Sequence, residues 1–123
     1  MSENSSEEEI LAWAVQLILD GRTEEALELL SRQYNVKPPK LRIGLPKGCK
    51  KALGCYVART RTIHLRSSTE YMNPFVVLHE FYHHIRFRIG RHRGTEKGAD
   101  RFALRAIEAW KRLFGGGERE GPC

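Results

Sequence analysis

The chain has 123 residues, 41% of them hydrophobic and 29% charged. That is the size and composition of one domain with a modest core, too short for a doubly wound sheet with a cofactor crevice and too apolar for global disorder. A net charge of +6 hides an asymmetry: residues 1–30 carry eight acids and one base, and the remainder carries twenty bases and seven acids.

No run approaches the ~20 apolar residues of a bilayer span, so no membrane partner is expected. The acidic start MSENSSEEE is unlike a secretory signal or a transit peptide. Cys49, Cys55 and Cys123 form an odd, sparse set, which predicts a reduced, cytoplasmic protein, although Cys49 and Cys55 could pair in an oxidising host. C-x5-C is poor spacing for a structural zinc pair, so these two read as core or loop residues.

Ser6 and Glu9 have capping-box spacing ahead of ILAWAVQLIL, which predicts a helix over about 7–19, stopped by Asp20-Gly21. Thr23 is the expected cap of a second helix, with Leu27, Leu30 and Tyr34 on one face, closing a helical hairpin over residues 1–36. Its acids read as a segment packed beside a basic body, or as a cover for a basic groove. Lys37-Pro38-Pro39-Lys40 breaks the helical pattern. LRIGL and CYVARTRTIHLR alternate at period two, with Tyr56, Ala58, Ile63 and Leu65 facing inward, and predict a sheet of about three strands. Asn73-Pro74 opens a helix through FVVLHEFYHHIRFRI to Gly90, and Thr95 caps a last helix ended by Gly115-Gly116-Gly117. Residues 115–123 read as a loose tail. The fold class is therefore α+β, one domain over residues 1–123: a helical hairpin, a small sheet, and two further helices that carry the chemistry.

His79-Glu80-Phe81-Tyr82-His83 is H-E-x-x-H inside a predicted helix. Residues four apart lie one turn apart on one face, so two imidazoles can reach one zinc at ~2.0–2.1 Å each. Glu80 can reach a water at such a metal without ligating it. A catalytic zinc needs a third protein ligand and an open position. Glu96 opens the next helix and is the expected ligand, with His92 as rival. Asp100, one turn on, is placed to accept the second ring N–H of a ligand histidine. Ala99 permits close helix approach. The longer signature H-E-x-x-H-x-x-G-x-x-H is absent, since Arg86 and Ile89 stand at its later positions.

HEFYH followed by EKGADRFA resembles the gluzincin metallopeptidases, in particular the ImmA/IrrE-like group and the small single-domain minigluzincins. The resemblance covers about residues 36–112. It implies a zincin-like fold, zinc as cofactor, hydrolysis of a peptide or protein substrate, His79, His83 and Glu96 as ligands, and Glu80 as general base and acid. It also implies that the strand holding Ile63 and Leu65 lines the cleft and pairs with an extended peptide. Two departures stand out: the connector from His83 to Glu96 is short, and no His or Tyr follows in the place where gluzincins hold the oxyanion. Tyr56, Tyr71, His84 and Arg93 are candidates for that task.

The alternative is a weak or latent regulatory module of the same fold. His84, Arg86, Arg88, Arg91, His92 and Arg93 form a basic run that is either a solvated face or a contact for nucleic acid. Cys123, on its glycine-linked tail, could reach the open zinc position in cis or from a neighbouring copy, an autoinhibitory or self-associating arrangement.

Overall fold

The first helix, α1 (Glu3–Leu19), begins earlier than the Ser6 box predicts: Ser6 lies inside the helix rather than at its cap. The computed structural model of the chain describes residues 3–49, 51–90 and 94–115. Gly21 ends the first turn of the hairpin at φ 80°, a conformation glycine adopts without steric cost. Thr23 is the first residue of α2 (Thr23–Tyr34), not its cap, and its buried hydroxyl donates instead to the Tyr71 carbonyl at 2.6 Å. Asn35, left-handed at φ 58°, closes α2.

The strands are β1 (Lys40–Ile43), β2 (Gly54–Val57) and β3 (Thr62–Leu65). They form one three-stranded sheet in the order β1-β3-β2, with β1 parallel and β2 antiparallel to β3. CYVARTRTIHLR is thus two strands, separated by a 3-10 turn over Ala58–Thr60. Cys49 and Cys55 are joined by a disulfide that ties the loop before β2 to the strand. This departs from the reduced-thiol expectation.

A short helix, α3 (Ser68–Tyr71), capped by the Ser67 hydroxyl, was not signalled by any apolar period. In α4 (Pro74–Gly90) the predicted cap is present: Asn73 Oδ1 accepts from the N–H groups of Phe75 at 3.0 Å and Val76 at 3.4 Å. Thr95 Oγ1 likewise accepts from the Gly98 N–H at 2.9 Å and starts α5 (Glu96–Trp110), which runs into a wider π turn over Lys111–Gly115. Gly115 therefore belongs to that turn, and the rest of the expected tail lies outside the described residues.

The result is an α+β fold whose core lies between the sheet and the helices. Leu11, Val15 and Ile18 of α1 meet Leu27 and Leu30 of α2, Ile63 and Leu65 of β3, and Leu78, Phe81, Phe102 and Ala106 of α4 and α5. The acids of α1 face the last helix. Arg105 donates to Glu7 at 2.8 Å, Arg112 lies 3.0 Å from Glu8, and Trp110 Nε1 donates to Gln16 at 2.8 Å. No helix among the described residues is long and apolar enough to cross a membrane.

Candidate metal centre

Two helices build this site. On α4, His79 and His83 stand one turn apart, with ring centroids 5.1 Å from each other. His83 is buried, with 2% of its side chain exposed, whereas His79 looks out at 15%. Opposite them, α5 offers Glu96 from its first turn, 75% exposed. The helices can approach because glycine and alanine face the contact. A Cβ on Gly98 would collide with the Tyr82 hydroxyl, and Ala99 is fully buried.

The donor atoms converge. Glu96 Oε1 lies 2.9 Å from His79 Nε2, and Glu96 Oε2 lies 3.0 Å from His83 Nε2. One ligand atom from each of the three residues falls within 4.8 Å of the other two. On its far side, His79 Nδ1 is 2.9 Å from Asp100 Oδ1. A neutral imidazole has a single N–H. If Nδ1–H donates to Asp100, then Nε2 presents a lone pair to a carboxylate oxygen that also carries lone pairs. Such a contact needs a cation or extra protons between the atoms. Two imidazole nitrogens and one carboxylate oxygen, with an acid fixing one tautomer, are the donor chemistry of a three-ligand zinc site with one position open. The residues present therefore fit the metal.

Electrostatics agree. Partial burial by itself would raise the Glu96 carboxyl. With the rings carrying the extra protons named above, the hydrogen bond from His79 and the charges of His83 and His79 outweigh it, holding the carboxyl below its ordinary value. A carboxylate kept ionised is ready to ligate.

Glu80 is buried at 7% and lines a cleft of about 250 Å³ together with His79, Glu96 and Asp100. The remaining wall is apolar or bare: Ala52, Leu53 and Gly54 from the start of β2, and Phe75 and Val76 from α4. Sequence reasoning missed these wall residues. A glycine opening a strand pattern was the available signal, because such glycines mark close backbone approach. Here a Cβ on Gly54 would lie 2.9 Å from Val76 Cγ1 and 3.2 Å from Glu80 Cγ.

The structure brings His79, Glu80, His83, Glu96 and Asp100 together and leaves Ile63 and Leu65 out. Both are fully buried core residues of the central strand, and both flanks of β3 are already paired. Neither side chain can meet a substrate, and β3 has no free edge. The strand edge bordering the cleft belongs to β2.

The oxyanion candidates are also accounted for. His84 Nε2–H donates to the Lys37 carbonyl at 2.8 Å, so its Nδ1 accepts from the Tyr56 hydroxyl at 2.7 Å. Burial pushes the His84 imidazole below its ordinary value, with Arg88 and Arg61 adding to the shift against the Lys37 hydrogen bond. Tyr56 and His84 are thus committed to each other inside the core. Tyr71 lines a different groove, beside α2 and β1. Arg93, the rival ligand His92 and Cys123 lie outside the described residues.

No family model, curated protein or solved structure matches the chain.

Proposed function

We propose that the chain is a zinc-dependent metallopeptidase of the gluzincin type, zincin-like in fold. The observation that carries this reading is the convergence of His79, His83 and Glu96 beside a buried Glu80 in an open cleft. His79, His83 and Glu96 would hold the metal. When bound, it would supply Lewis acidity to a water and to the scissile carbonyl. Asp100 holds His79 in the tautomer that turns Nε2 inward. Glu80 takes the proton of the attacking water and returns it to the leaving amine. An extended peptide lies along the free edge of β2, where Gly54 keeps the wall thin enough for a backbone to pass Glu80. The apolar wall of Leu53, Phe75 and Val76 excludes water from that path.

The Glu80→Gln variant tests this. It should retain zinc, measured by elemental analysis, and lose casein cleavage by about 10²–10⁴-fold, while chelation of the wild type should abolish cleavage. Undiminished cleavage by the variant would remove Glu80 from the chemistry.

A second reading is favoured by one observation: among the described residues, the cleft lining holds no Tyr and no His besides His79, so it offers no evident oxyanion donor. A metal-bearing regulatory module with little turnover follows. It is indicated if zinc-loaded protein and its Glu80→Gln variant are equally inert. Exposed Arg86 and Arg88 support a nucleic-acid partner for such a module. Salt-dependent retention on duplex DNA tests that idea. The sparse cysteines support a cytoplasmic setting, against which the Cys49–Cys55 bond stands; thiol titration in lysate of the native cells decides.

A further inference from the structure

A second opening is larger than the candidate metal cleft. A groove of about 720 Å³ runs between α2 and the outer edge of β1. β1 is an edge strand, and its inner hydrogen bonds are made by alternate residues: the Lys40 N–H donates to Arg61 at 2.9 Å and the Gly44 N–H to Leu65 at 2.7 Å. Parallel pairing uses every second residue on each flank. The N–H and C=O groups of Leu41 and Ile43 therefore point outward, into the groove. Leu41 and Ile43 stand in register with Ile63 and Leu65 and share their core face. Ile43 nonetheless remains 57% exposed. An apolar side chain overhanging open backbone donors and acceptors is an invitation to a fourth strand.

A second copy of this chain is a poor occupant. A two-fold pairing that keeps the apolar faces together and engages at least three residues of β1 sets Arg42 opposite the same residue of the other copy, or opposite its Lys40. Like charges directly across a ladder are destabilising. The same two cations define the ligand that fits. We infer that the β1 edge is a docking site for an extended peptide with alternating acidic and apolar residues. Its acids fall on the face of Lys40 and Arg42, and its apolar side chains enter the groove over Ile43. Glu24 and Glu28 line the α2 wall. They repel the flipped register, in which the acids would point inward, so one face of the peptide is selected. This site is independent of the metal centre and gives the molecule a second peptide-binding edge.

Two labelled probes test it: a seven-residue peptide alternating Glu and Val, and one alternating Lys and Val. Fluorescence anisotropy should show saturable binding of the Glu–Val peptide and at least about tenfold weaker binding of the Lys–Val one. Amide exchange at Leu41 and Ile43 should slow in the complex. Ile43→Pro removes an outward N–H and no ladder bond, so it should weaken binding about tenfold with an unchanged circular dichroism spectrum. Arg42→Glu, a change on the solvent face that leaves Lys40 balanced by an acid, should erase the preference between the probes. The inference is overturned if the probes bind equally or not at all, or if the perturbed amides belong to His79 and His83. Protection of Leu41 and Ile43 in the free protein by self-association overturns it as well.

Discussion

Gly54 lacks a side chain at the point where β2 crosses α4, which leaves room there for Val76 and Glu80. With a Cβ 2.9 Å from the stiff Val76 Cγ1, Gly54→Ala must push strand and helix apart. Overpacking of this kind costs about 1–3 kcal/mol. Glu80 touches the same point, so cleavage should fall further than stability does. Denaturant melts, zinc content and casein hydrolysis on one preparation separate the effects: lost stability alone would make Gly54 a packing residue only. The clustering of the candidate metal ligands was legible because helices write their faces at fixed spacing. His79 and His83 stand four apart, as do Glu96 and Asp100, and each pair sits in a helix with a readable cap. Gly54 was not legible as part of the site, because its neighbours there, Val76 and Glu80, lie 22 and 26 positions away in the sequence. The same limit misplaced Ile63 and Leu65. Alternation shows that they face inward, but not that β3 is central, since strand order is decided by contacts distant in the chain.

The helices are held together by a network that crosses three elements. Glu7 of α1 accepts from the Tyr34 hydroxyl of α2 at 2.8 Å and from Arg105 of α5 at 2.8 Å. The acid-rich first helix and the excess of bases in the remainder were both visible in the sequence, but this particular pairing needed the fold. Burial by itself would raise the Glu7 carboxyl. The hydrogen bonds from Tyr34 and Arg105, with the Arg105 charge, outweigh burial and hold the group below its ordinary value. Because the folded carboxyl is the stronger acid, the unfolded chain binds more protons in this range. The contribution is therefore present above the ordinary carboxyl value of the unfolded chain and is lost as pH falls through the depressed folded value. Glu7→Gln should cost about 1 kcal/mol near neutral pH, a partly exposed ion pair and hydrogen bond being worth no more. The difference from wild type should shrink as the solution is acidified below the ordinary carboxyl range. A gap constant with pH in urea melts would mean that Glu7 acts by packing.

At the scale of the molecule, the proposed metal donors come from a helix pair that is already welded without them. Phe81 of α4 stacks on Phe102 of α5 with centroids 6.4 Å apart, and Tyr82 fills the space left by Gly98. Behind them the buried faces of α1, α2 and the sheet complete one core. A small structural zinc domain has no such core and unfolds when stripped of metal. Here the opposite is expected. Chelated protein should keep its circular dichroism spectrum and a cooperative melt, and zinc should add only the linkage term, about 2.7 kcal/mol at a hundredfold excess over Kd, a shift of about 10 °C. His83→Ala should abolish the zinc-dependent shift while the apo melt stays cooperative, although removing a buried ring will lower it. If chelation instead unfolds the chain, the ion serves as a staple for α4 and α5. The open position beside Glu80 would then lose its claim to chemistry, because a metal that holds up the fold has its coordination closed by protein.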